Sequence, residues 1–319
     1  MRWPMSRRLM LVGCLGLVVR EALAQSSRVW RIAYLGSGRT SVTVPVMKRT
    51  LLPLGYEEGK NLIFDVREAH GHYDELPALM QQLLALHPDV IVAEATPAIA
   101  AAQKATSSIP IVMAPATDPV GSGFVQSLAR PGGNITGVAN MFGDLTTKTL
   151  DIIRRAFPGV KKIGVLSSNN PTHPALVQVT RDAARTVGIL VDSFVAANPE
   201  DMDRAFADMK SAGCEVAYVL ADPVRPALPA TALKHGMPSV YQVNSYVEID
   251  GLMSYGPDLP ALFVKAAQYV DRILKGGKPA EIPVEQPTEF VLAVNLRTAR
   301  KLGLSIPEQL LLMADKVIE

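Results

Sequence analysis

From Arg28 onward, short apolar runs that read as strands alternate with longer stretches that read as helices. The strand candidates of the first half are Trp30–Leu35, Ile63–Arg67, Val90–Glu94, Ile109–Ala114 and Ile135–Asn140. Helical stretches fall between and after them at Val42–Leu54, Tyr73–Leu86, Ala98–Ala105 and Gly123–Leu128. After Asp144 the cycle restarts, with strands at Lys162–Leu166, Leu190–Val195, Val216–Leu220 and Ser239–Val243. The helices of this half are Thr146–Ala156, Pro174–Val187, Pro199–Ser211 and a short Pro226–His235. Such alternation predicts βαβ units around parallel sheets. The architecture repeats although the sequence does not, so the fold class expected is α/β, as two Rossmann-like lobes with parallel sheets joined by hinge crossovers. The join is expected near Asn140–Asp144, with Gly143 as its flexible point. Beyond it, Leu252–Ser254 reads as a returning strand and Leu259–Leu274 as a long amphipathic helix closed by Lys275-Gly276-Gly277. In the tail, Pro283 and Pro287 exclude a regular helix, Phe290–Val294 reads as a strand, and a terminal helix is expected around Glu308–Val317.

At 319 residues, 48% hydrophobic and 19% charged, the chain has ample material for two packed cores. A net charge of +2 with scattered Lys and Arg gives no case for nucleic acid. The start of the chain changes the picture more. Arg2, Arg7 and Arg8 precede an apolar run from Leu9 to Val19, and Ala22-Leu23-Ala24 offers a small-residue cleavage site before Gln25. That layout predicts a signal peptide over residues 1–24 and export to the periplasm. Ser6 to Leu11 resembles a twin-arginine signal weakly. Leu11-Val12-Gly13-Cys14 resembles a lipoprotein box, but too few apolar residues precede it, so lipid anchoring at Cys14 is not expected. Cleavage leaves Cys214 alone, which excludes an internal disulfide and fits a small core residue. After the leader, no stretch reaches the roughly 18 apolar residues that span a bilayer.

Candidate chemistry gathers at the carboxyl ends of the strands, where open α/β sheets bind ligands. Four strand ends pair a capping residue with proline: Thr96-Pro97, Asp118-Pro119, Asn170-Pro171 and Asp222-Pro223. Each arrangement predicts a helix start whose free amides and dipole favour an anion such as a carboxylate. Asp118 and Asp222 either cap their helices or accept a ligand ammonium group. Gly121, Ser122 and Gly123 leave the helix after Asp118 bare. Ser37, Gly38 and Thr40 follow the first strand and suit either a backbone anion nest or a plain turn. Thr96, Thr117, Ser168, Asn169 and Asn244 complete the strand-end candidates, and Tyr255 either stacks on a ligand or fills a hinge.

Catalytic motifs are weak. Gly36 to Ser41 is one glycine short of a dinucleotide fingerprint, and Asp65 lies where a ribose-binding acid would be expected. No phosphate loop, nucleophile elbow or zinc pair occurs. His70 and His72 are close enough to share a metal with Glu68, although a solvated loop pair is the simpler reading. No metal site and no cofactor are expected.

Two stretches carry a family resemblance: DPVGSGFVQSLARPGGNITGV, from Asp118 to Val138, and the segment from Gly251 to Pro307 that begins GLMSYGPDLPALF. Both resemble the substrate-binding proteins of a family of bacterial ABC importers, which have type I periplasmic-binding folds. The resemblance implies that the long helix returns to the first lobe and that the tail crosses over again. The lobes are then 28–140 with 255–280, and 141–254 with 281–319. It also implies a small-molecule ligand, preferably an amino acid or related zwitterion, held by a monomer and delivered to a membrane permease through hinge closure. The alternatives are a periplasmic sensor feeding a signalling receptor and, from the glycine motif, a nicotinamide enzyme. A sugar-type transcription regulator shares the fold but needs a basic helix-turn-helix where the leader lies.

Overall fold

The computed structural model describes residues 28–38, 42–222 and 225–319. The leader, Cys14 and Thr40 lie outside these residues.

The first sheet is wholly parallel, in the order β2-β1-β3-β4-β5. Its strands are β1 (Trp30–Gly36), β2 (Leu62–Glu68), β3 (Val90–Glu94), β4 (Ile111–Ala116) and β5 (Ile135–Ala139). Strand alternation feeds two cores. Ile32, Tyr34, Val90 and Val92 point to the face covered by α1 (Thr43–Leu51) and α9 (Leu259–Leu274). Ala33, Leu35, Ile91 and Ala93 point to the face covered by α2 (Leu76–Leu84) and α3 (Ala95–Ala105). Both faces being dry explains why these strands read as unbroken apolar runs.

The second sheet has the order β12-β11-β10-β9-β8-β6-β7. It comprises β6 (Lys162–Ser167), β7 (Leu190–Val195), β8 (Val216–Val219), β9 (Ser239–Tyr241), β10 (Met253–Pro257), β11 (Phe290–Asn295) and β12 (Lys316–Ile318). Its pairs are parallel except β10 with β11, which is antiparallel. One face packs on α4 (Thr146–Ala156) and α5 (His173–Thr186). The other packs on α6 (Met202–Ser211) and α7 (Ala227–Lys234). Short helices α8 (Ser245–Glu248), α10 (Leu296–Lys301) and α11 (Glu308–Leu311) close the connections.

The two α/β lobes with mostly parallel sheets match the expected class, while several local expectations do not hold. No helix forms over Gly123–Leu128. Asp118 and Gly123 both have positive φ, 44° and 70°, and glycine contributes little to helix formation. One turn forms there and stops. The terminal helix ends at Leu311, because Lys316–Ile318 instead joins the sheet as β12 beside β11. At the first crossing, Met141 has a left-handed backbone (φ 61°).

Three chain crossings link the lobes: Asn140–Leu145, Pro257–Leu259 and the segment from Val284 to Phe290. Helix α9 sits in the first lobe's core, and its end leads through Ile282 and Val284, which also pack there, before β11 returns the chain to the second sheet. Among the described residues no helix is long and apolar enough to cross a membrane.

Candidate functional site

The carboxyl ends of the two sheets face one another. Tyr73, in the turn after β2, donates a hydrogen bond to Oδ1 of Asp222, which follows β8 in the other lobe. The facing strand ends carry most of the residues that the sequence singled out.

In the first lobe, Ser37 is fully buried and already engaged. Its Oγ donates to the Glu94 carbonyl at 2.9 Å and accepts from the Ala98 amide at 3.2 Å. The start of α3 is therefore capped by a side chain from β1's end. Thr96 lies inside the helix and uses its Oγ1 to accept from the Thr117 amide at 3.2 Å. Thr117 Oγ1 in turn accepts from Asn140 Nδ2 at 2.8 Å. A polar ladder thus ties the ends of β3, β4 and β5 at the hinge. Gly38, after β1, is buried.

Asp118 is exposed, and its Oδ1 accepts from the Gly121 amide at 2.9 Å. A Cβ at Gly121 would fall 2.0 Å from Asp118 Oδ2. The space beside Gly121 is filled by the neighbouring carboxylate, which explains the bare residue without a ligand. Asp118 caps a turn instead of a helix. Nor do Asn170-Pro171 and Asp222-Pro223 start helices where expected: α5 begins after Thr172 and α7 after Pro226, whereas Thr96-Pro97 lies in the first turn of α3. Asn170 Oδ1 accepts from the amide and hydroxyl of Thr172.

In the second lobe, Ser168 and Asp222 belong to one buried network. The Ser168 amide donates to His173 Nδ1 at 2.8 Å, so that nitrogen carries no proton and Nε2 donates to the Ala221 carbonyl at 3.0 Å. Burial lowers the pKa of His173, with the Asp222 charge pulling the other way. Asp222 Oδ2 pairs with Arg225 at 2.7 Å, both side chains being nearly buried. Arg225 is anchored further, Nη1 to the Ala196 carbonyl and its amide to the Tyr246 hydroxyl, each at 3.0 Å. Asn169 is exposed on the facing edge. Asn244 is turned into the second crossing, where Nδ2 donates to the Pro257 carbonyl at 3.2 Å and Oδ1 accepts from Ser254. Tyr255 packs on Phe290 and the second lobe's core.

Sequence reading passed over Glu94. It ends β3 in register with Gly36, as Glu68 of β2 also does, so all three stand level on one face of the sheet. Glu94 Oε2 accepts from the Tyr34 hydroxyl at 3.0 Å and Oε1 faces Thr43 Oγ1 at 3.5 Å. Among the described residues no ion pair involves it. Burial raises its pKa to about 7, and the Glu68 charge adds to the rise while the two hydroxyls oppose it. An acid closing a wholly apolar strand, Val-Ile-Val-Ala-Glu, was the available signal. Tyr73, Arg225 and Asn140 carried none, since their roles depend on partners far away in the chain.

Arg39 to Ser41 of the dinucleotide-like motif lie outside the described residues. Asp65 lies mid-strand, paired with Arg31 at 3.2 Å and three residues short of the carboxyl edge where a ribose would sit. His70 faces Glu68 at 3.5 Å, and the described residues contain no group of three metal-ligating side chains. A recess beside Arg154, Arg155 and Val187 lies at the far end of the second lobe from these strand ends.

Comparison with known proteins places this geometry in context. The family described as ABC transporter substrate binding protein matches residues 41–318. A tyrosine-binding protein of Clostridioides difficile (strain R20291) is 27% identical over 255 residues, covering 78% of this chain and 73% of the relative. A conserved domain protein of Vibrio cholerae superposes with a TM-score of 0.85 at 30% identity, covering 91% of this chain and all of that one. An ABC domain from Streptococcus pneumonia, solved with L-Trp, superposes at 0.80 with 26% identity and the same 91% coverage of this chain, again over the whole of its own. Paired α/β lobes, facing strand ends and a match over nearly the whole described chain agree: the protein belongs to the ABC transporter substrate binding protein family.

Proposed function

We propose that this chain is the extracytoplasmic binding component of an ABC import system and takes a small zwitterion of the amino-acid class between its lobes. The observation that carries the ligand class is the end of β3. Glu94 there is a half-buried carboxyl with no ion-pair partner among the described residues, and the Ala95 and Thr96 amides of α3 follow it directly, the Ala98 amide being taken by Ser37. A carboxyl that accepts an ammonium group and a helix start that favours a carboxylate stand side by side, as the charged groups of an α-amino acid do. Relatives described as tyrosine-binding and as a complex with L-Trp point the same way.

Gly38 and Thr117 of the first lobe and Ser168 and Asn169 of the second are the surrounding contacts in this reading. Ser37, Thr96 and Asn140 hold the strand ends in place. Asp118 and Asp222, already engaged by their neighbours, act as supports instead of ammonium acceptors. A ligand that touches both lobes favours the closed arrangement, and the closed surface is what a permease engages. No bond is made or broken in this cycle.

A thermal-shift screen of the purified protein against amino acids, sugars, nucleosides and short peptides tests the reading. A ligand at 100 times its Kd adds about 2.7 kcal/mol of stability. An amino acid is expected to give the largest shift. Stabilisation by a sugar or nucleoside and by no amino acid overturns the ligand class, and turnover of any bound compound overturns the binding role.

A further inference from the structure

We propose that Tyr73 is a closure latch: a first-lobe phenol that seats on the Asp222–Arg225 pair of the second lobe and sets how readily the cleft opens. The inference rests on the two-lobed binding reading above, but its test needs no ligand.

The receiving pair is built entirely within the second lobe. Asp222 follows β8, and Arg225 is fixed to the end of β7 through the Ala196 carbonyl and to α8 through the Tyr246 hydroxyl. His173 ties the neighbouring Ala221 carbonyl to the Ser168 amide. When the lobes part, this pair therefore stays intact and no bare charge is left behind. Opening gives up the phenol's contacts with the Asp222 carboxylate and the Ser168 hydroxyl, a modest loss that suits a reversible contact. Tyr73 is also fixed on its own side, since its ring packs on the core beneath α2 and α3.

Sheet order supplies the leverage. The crossings leave the first sheet at β5 and the second at β10 and β11, whereas Tyr73 follows β2, the opposite edge strand. Its partners lie at the ends of β7 and β8, on the side of the second sheet away from the crossings. The contact thus sits at the mouth, where a small hinge rotation produces the largest separation. Burial and the Asp222 charge both hold the phenol protonated, so it stays a donor.

The test measures lobe separation by pulsed EPR between spin labels at Q81C and D208C, in a Cys14→Ala, Cys214→Ala background without ligand. Gln81 and Asp208 are exposed on opposite lobes. Tyr73→Phe keeps the ring and removes only the donor. It is expected to raise the open-to-closed ratio about ten-fold, equivalent to about 1.4 kcal/mol. Asp222→Asn is expected to open the protein as well, and adding Tyr73→Phe to it to change nothing further. A Tyr73→Phe distance distribution that matches the parent overturns the proposal, as do additive effects of the two substitutions. A lower melting temperature with unchanged distances shows a merely structural tyrosine.

Discussion

Glu94, the ammonium acceptor of the proposed reading, also makes stability depend on pH. Its carboxyl titrates near 7 in the folded chain against an ordinary value of 4.5. The raised value means that its contribution to stability is full below about pH 4.5 and is lost as pH rises through about 7. Glu94→Gln keeps the shape and cannot ionise. In urea titrations without ligand, it is expected to be more stable than the parent at pH 8 by about 2 kcal/mol and equal to it at pH 4.5. His173 works in the opposite sense. Its depressed pKa gives stability that is present above about 6.5 and is lost as pH falls. His173→Asn should therefore destabilise the protein most at pH 7 and progressively less toward pH 5, followed by thermal melts across that range. A third residue tests packing alone. A Cβ on Gly256 would stand 2.0 Å from the Gln242 carbonyl, at the strand end that leads into the second crossing. Gly256→Ala is expected to cost about 3 kcal/mol in the same titrations, and a loss under about 0.5 kcal/mol would contradict the close approach.

Among the elements, α9 and the segment after it do the joining. Lys265 Nζ reaches Glu285 Oε2 at 2.7 Å, and the Tyr269 hydroxyl reaches the same carboxylate at 3.2 Å. The Glu285 carbonyl accepts from the Ala139 amide at 2.8 Å, so the last crossing is stitched to β5. Glu285→Ala is expected to leave global stability within about 1 kcal/mol, because the carboxylate is 41% exposed and its ion pairs are screened by water, while hydrogen exchange at Ala139 speeds up. Unchanged exchange would mean that the backbone holds without α9's help. Elements of this kind were legible in advance, for a physical reason. Buried parallel strands and amphipathic helices announce themselves by period, and α9 was read with its observed bounds. Turns were not. The Asp118 segment has the cap and proline of a helix start, yet φ at Asp118 and Gly123 ends it after one turn. The strand Lys316–Ile318 is three residues long and exists only because β11 offers it an edge. Site residues divided the same way. Strand-end position was readable, so Thr117 and Ser168 were expected at the carboxyl edges where they lie, but which side chains are already engaged depends on contacts such as Asn140 with Thr117 or Arg225 with Asp222.

At the scale of the whole molecule, separately packed cores meet at polar strand ends, with Leu259 at the second crossing packing on a core of each lobe. Across the cleft the Tyr73 hydroxyl donates to Asp222. In the proposed reading, a molecule that touches both edges favours closure. The most direct test is calorimetry of the purified protein with each common amino acid, followed by the amine and the carboxylic acid that lack one charged group of whichever amino acid binds. The account predicts that one amino acid binds, that removing its ammonium group weakens binding by about 30-fold or more, and that Glu94→Gln produces a loss of similar size. Equal binding of the analogue without the ammonium group, or binding by no amino acid, would contradict it.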